Sequence, residues 1–149
     1  MNSYNRVYVH FVWATWDREK RITPELEAVL YRCIAAACRK LKGQPLEIGG
    51  VEDHIHVLAR LPGTVCTAEM AKEMKGSSSH LVNTLHPSPR PFRWQGTYAA
   101  FSVSRDLVPT VRAYIRNQKE HHAANSIAAE YEYCAAPETD GSDDDVTEW

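Results

Sequence analysis

Cysteine is scarce: Cys33, Cys38, Cys66 and Cys134 are scattered through 149 residues, and no two form a Cys-x-x-Cys pair. That excludes the common zinc-ribbon and dithiol spacings, and the four read as reduced thiols. No apolar run reaches membrane-spanning length, which excludes a transmembrane helix, and no membrane partner is expected. The first six residues carry no apolar signal core, so the expected setting is soluble and cytoplasmic. Basic residues are missing after residue 122. All 17 Lys and Arg precede it, against 11 acids there, a net charge of +6, whereas 123–149 hold eight acids and no base. The overall charge of −2 therefore combines a basic body with an acidic tail. A basic body is compatible with binding phosphate backbones, and equally with an ordinary solvated surface. The expected organisation is one domain over 1–122, followed by a flexible acidic tail over 123–149. A chain of this size buries roughly 70% of its unfolded surface, so it needs no disulfide scaffold.

Periodicity supplies the elements. Residues 5–16 are β-branched and aromatic on both faces, as in a central strand, interrupted by Arg6 and His10. His10 reads as a hydrogen-bonded histidine in or near the core. Thr23 and Pro24 fit the N-cap and first position of a helix running to about Lys42, with Gly43 as its stop. Leu26, Val29, Leu30, Cys33, Ile34, Ala37 and Leu41 give that helix one apolar face. Pro45–Val51 and His54–Leu61 read as strands joined by a turn at Glu52 and Asp53. Thr67 or Thr64 is the expected cap of a second long helix, from about Ala68 to Leu85. Its run Ser77-Ser78-Ser79 beside Gly76 is poor helix material. Two readings stand for it, close packing or small donors to a phosphate backbone. Ala99–Ser104 forms a fourth strand, and Ser104 fits the cap of a last helix over about 105–122, with Pro109 as a kink or a later start. The order strand, helix, strand, strand, helix, strand predicts an α+β ferredoxin-like sandwich. A four-stranded sheet would carry helices on one face, with an added C-terminal helix.

Two patterns carry chemistry. His54 and His56 are two apart on a strand, so both imidazoles leave from one face while Ile55 and Val57 leave from the other. That is half of a metal site, or simply two alternating histidines. On a continuous last helix Tyr114 and Gln118 are four apart and share a face, with His121 and His122 beyond them. This polar stripe stands where a packing helix would put leucine. Tyrosine can act as a nucleophile that forms covalent intermediates, and the Gln118 carbonyl could complete a coordination shell begun by the histidines. A half-buried tyrosine with solvated neighbours is the plainer reading of the same stripe.

The segment from Gly49 to Leu58, with His54-Ile55-His56, resembles the His-hydrophobic-His motif of single-tyrosine HUH transposases, the small bacterial insertion-sequence enzymes that move single-stranded DNA. Lys75–Ser79, Trp94–Ser104 and Tyr114–His122 are similar to the family's other blocks, in the same order. The resemblance covers residues 4 to about 122, and His-x-His together with Tyr-x-x-x-Gln is far more specific than either half. The chain departs from the family after the double histidine, where members usually continue with a basic helical segment. The resemblance implies that Tyr114 cleaves single-stranded DNA, leaving a 5′-phosphotyrosine and a free 3′-hydroxyl. It implies one divalent ion, Mg or Mn, on His54, His56 and Gln118. The implied partners are a second copy of the chain and the hairpin ends of a mobile element. Arg6, Lys75, Ser77, Arg93 and Arg116 are the candidate DNA contacts. Two other functions stay open at this point: a catalytically decayed regulator that binds hairpin DNA, and a metal-dependent hydrolase in which the histidine pair activates water.

Overall fold

The computed structural model describes residues 3–128 and Glu132. The expected flexibility of the tail falls almost wholly outside these residues. Four strands, β1 (Val7–Ala14), β2 (Gln44–Gly50), β3 (His54–Leu61) and β4 (Ala99–Val103), form one sheet in the order β2-β3-β1-β4. Every pairing is antiparallel. With α1 (Pro24–Lys40) and α2 (Thr67–Leu85) between the strands, this is the expected ferredoxin-like α+β arrangement. Two further helices follow, α3 (Val108–Arg116) and α4 (Gln118–Ala123). No helix of the described residues is long and apolar enough to cross a membrane.

The alternation of β3 decides what each face of the sheet does. Ile55, Val57, Ala59 and Leu61 enter the main core, with Leu30 and Ile34 of α1 and Met70 and Met74 of α2. Leu58 points the other way and packs with Val111 and Ile115 of α3. His54 and His56 have the same parity as Leu58, so both stand on the α3 face. Gly49 allows α3 to come this close: a Cβ there would lie 2.2 Å from the Ile115 carbonyl oxygen.

Local chemistry explains the element ends, in places against expectation. Thr23 Oγ1 accepts from the Leu26 N–H at 3.2 Å, the expected cap of α1. At the other end it is Lys42, not Gly43, that takes the left-handed conformation, with φ 66°. Gly43 is closely packed instead: a Cβ would sit 2.7 Å from Met70 Cε and 2.8 Å from Cys38 Sγ, so both side chains would have to shift. The cap of α2 is Cys66, with no side-chain hydrogen bond. Thr67 lies inside the helix, where its hydroxyl faces the Tyr98 hydroxyl at 3.5 Å. Within the serine run, Ser78 is explained by packing: it is buried, donates to the Lys75 carbonyl and accepts from Trp94 Nε1 at 2.9 Å.

The last helix is not continuous. A 3-10 turn at Arg105–Leu107 precedes α3, and Pro109 sits in its first turn, where a missing N–H breaks no bond. Ser104 makes no side-chain cap. Asn117, at φ −99° and ψ 23°, then separates α3 from α4. Tyr114 and Gln118 therefore belong to two helices.

Candidate metal and tyrosine site

β3 and α3 bring the two chemical patterns together. Tyr114 is buried, with its ring 6.0 Å from that of His56, and it stacks on His121 at 4.8 Å. His54 Nε2 and His56 Nε2 lie 2.9 Å and 3.3 Å from the same oxygen, Oε2 of Glu132. The Tyr114 hydroxyl donates to the other oxygen of that carboxylate and accepts from the Ala128 N–H at 3.0 Å. Ligand atoms of His54, His56 and Glu132 all lie within 4.8 Å of one another, a group able to hold a metal ion.

The outer nitrogens of the two imidazoles are both engaged. His54 Nδ1 faces Asp53 Oδ1 at 2.7 Å, and His56 Nδ1 faces His10 Nε2 at 2.8 Å. A histidine that donates through Nδ1 presents a lone pair at Nε2, and such outer partners are characteristic of metal-binding imidazoles. Burial first, then the charge of His56, pushes His10 down to about 3, so its ring is neutral and can accept that hydrogen bond. Burial lowers His54, but hydrogen bonds to Asp53 and Glu132 outweigh it and the net shift is upward. His56 is lowered, because burial dominates there. Burial would raise Glu132, yet its hydrogen bonds to His54 and His56 hold it well below the usual carboxylate range. Tyr114 is pushed up to about 12, by burial and by its bond to the Glu132 carboxylate. Two imidazole nitrogens and a carboxylate form a donor set suited to a divalent first-row ion.

Gln118 is buried in the same place, but its amide is differently engaged. Its Oε1 accepts from His122 at 3.1 Å and its Nε2 donates to Glu132 at 3.1 Å. The candidate DNA residues are dispersed. Arg6 lies over the Tyr4 ring and Arg93 over the Trp16 ring at 4.1 Å. Lys75 ties down the Gln95 and Thr97 carbonyls, Ser77 donates to Glu73, and Arg116 pairs with Glu47. Among the described residues no hydrogen bond or ion pair joins these five to the histidine pair. Sequence reasoning missed Glu132, which lies in a segment read as an acidic tail. It also missed Asp53 and His10 as partners of the imidazoles. For Asp53 a signal existed, since it immediately precedes His54; for Glu132 there was none.

Comparison with known proteins agrees with this architecture. The family model described as "Transposase IS200 like" matches residues 3–118, and the chain belongs to that family. Among solved structures, a candidate transposase from Deinococcus radiodurans R1 superposes with a TM-score of 0.65 at 20% identity, covering 79% of this chain and 95% of its own. A REP-associated tyrosine transposase bound to a REP hairpin gives 0.62 at 16% identity, covering 95% and 96%. A bacterial tRNA(His) guanylyltransferase-like protein in complex with GTP gives 0.53 at 12%, covering 87% and 70%. These identities show a shared fold, and the fold alone hosts different chemistries. No curated protein matches the chain.

Proposed function

We propose that the chain cleaves and rejoins single-stranded DNA through a 5′-phosphotyrosine on Tyr114. The observation that carries this reading is the meeting of the Tyr114 hydroxyl, His54 Nε2 and His56 Nε2 at the one carboxylate of Glu132. Tyr114 Oη attacks a backbone phosphorus as its proton leaves to water, with the Glu132 carboxylate holding the hydroxyl in place. The bond from phosphorus to the 3′-oxygen breaks, and that oxygen leaves as a 3′-hydroxyl after taking up a proton. The tyrosyl ester keeps the energy of the broken linkage, so a 3′-hydroxyl can reverse the step without ATP. His54 and His56, with Glu132 or Gln118 as third donor, would hold a divalent ion, Mg or Mn, which when bound would polarise a phosphoryl oxygen. Asp53 and His10 orient the two imidazoles for that role.

The catalytic unit in this reading is residues 1–122, with Glu132 contributed from the tail. One nucleophile per subunit implies a homodimer for two strand breaks. Family membership supports DNA as the substrate, and the hairpin carried by the REP-associated neighbour supports a folded end of a mobile element.

The test is a denaturing gel with labelled single-stranded DNA from the flanks of the gene, with Mn or Mg. The expected result is a covalent protein–DNA band that chelator removes and Tyr114→Phe abolishes. Cleavage without an adduct that survives Tyr114→Phe would favour a hydrolase. Hairpin binding without cleavage would favour a decayed regulator.

A further inference from the structure

The strand that carries His54 is gripped by a strained turn of the chain after β1. In the 3-10 turn at Trp16–Arg18, Asp17 (φ 56°, ψ 23°) and Arg18 (φ 53°) are both left-handed. Residues with a Cβ are uncommon in that region. Two in succession persist only where surrounding bonds fix the backbone, and such strain concentrates at functional sites. The bonds are present here. The Trp16 N–H donates to the Arg93 carbonyl at 2.9 Å, and the buried Thr15 hydroxyl lies 2.6 Å from the Glu19 carbonyl.

The same loop holds the turn before β3. The Asp53 carbonyl accepts from the Thr15 N–H at 2.8 Å, with Thr15 Oγ1 at 3.2 Å. The Glu52 carbonyl accepts from the N–H groups of Arg21 and Ile22 at 3.1 and 2.9 Å. The Asp53 backbone is thus fixed, and its carboxylate is shared. Oδ1 faces His54 Nδ1 at 2.7 Å, while Oδ2 lies 3.5 Å from Arg18 Nε. Arg18 is half exposed, and such an ion pair contributes little to stability by itself. Its use lies in direction: with Oδ2 held by the guanidinium, Oδ1 stays turned to the imidazole. Outer partners of this kind tune the metal affinity of a histidine.

We infer that Arg18 is a positioning residue for the His54 imidazole, acting through Asp53, and that the left-handed turn at 17–18 serves to bring its side chain to that carboxylate. The inference rests on the metal reading above. It is tested on the full chain with Mn alone, titrated by the electron paramagnetic resonance signal of the free ion, alongside melting in chelator. Arg18→Gly removes the guanidinium and suits φ 53° better than any residue with a Cβ. It should therefore melt at or above Arg18→Ala in chelator. Both variants should bind Mn about tenfold more weakly than wild type, the lower end of the range for an outer partner. Arg18→Lys, which keeps a cation, should recover part of that affinity. Action through Asp53 makes the losses non-additive, so Arg18→Gly should weaken Mn no further in an Asp53→Ala background. A further loss in that background overturns the inference. Wild-type Mn affinity in Arg18→Gly overturns it too, and leaves the histidine site standing. Weaker binding of a labelled single-stranded oligonucleotide in chelator, at unchanged Mn affinity, overturns it in favour of a contact between Arg18 and the DNA backbone. A wild-type chain that binds no Mn overturns both the inference and the metal reading.

Discussion

Replacing His10 by leucine separates the metal site from the core around it. His10 is fully buried, and its neutral Nε2 is the partner of His56 Nδ1. Leucine has about the same bulk but accepts nothing. A buried N–H left without an acceptor costs about 1–3 kcal/mol. His56 can escape that cost by moving its proton to Nε2, the atom that faces the metal position. Loss of such an outer partner typically lowers metal affinity 10- to 100-fold. At a metal concentration 100 times the wild-type Kd, binding stabilises the wild-type fold by about 2.7 kcal/mol. At the same concentration the variant retains about 0.4–1.4 kcal/mol. The assay is the rise in Tm on adding Mn to chelator-treated protein, at ~2–4 °C per kcal/mol for a chain of this size. The variant should show half the wild-type rise or less, and His10→Gln, which keeps an acceptor, should recover part of it. A full rise in His10→Leu would refute the argument that His10 sets the tautomer of His56.

Two further outcomes follow from the same geometry. In chelator, stability should fall as pH drops from the ordinary histidine value of 6.5 towards about 3, because the unfolded chain protonates His10 in that window and the buried ring does not. This group contributes at most about 1.4 kcal/mol per pH unit, and the slope in urea melts should be shallower in His10→Leu. Gly49→Ala should destabilise by about 1–3 kcal/mol, since its methyl meets the Ile115 backbone and α3 must shift; an unchanged urea midpoint would sink that reading.

Much of the fold is legible because strands and helices here follow one local rule at a time. β3 runs over His54–Leu61 as its alternation predicts, and Thr23 caps α1 as its type and position predict. What local rules miss are contacts made across the chain. Lys42 rather than Gly43 turns left-handed, and Gly43 instead marks the place where a Cβ would meet Met70 and Cys38. The break at Asn117 is invisible to a pattern of side chains four apart. His10 reads correctly as a hydrogen-bonded core histidine, but its partner is 46 residues away in sequence. Glu132 is 78 residues from His54, in a stretch whose composition points only to solvent.

The break at Asn117 also changes what sets the geometry between nucleophile and neighbour. On an unbroken helix, side chains at 114 and 118 form a rigid pair, and moving one moves the other. Here their relation depends on the φ and ψ of a single residue, while Gly49 holds α3 against β2. Tyr114 is thus anchored to the sheet through α3, and Gln118, with His122 bonded to it, belongs to a separate helix. A few degrees at one backbone joint would re-aim the amide, and the phenol would register it, because Gln118 Nε2 and the Tyr114 hydroxyl donate to the same oxygen of Glu132.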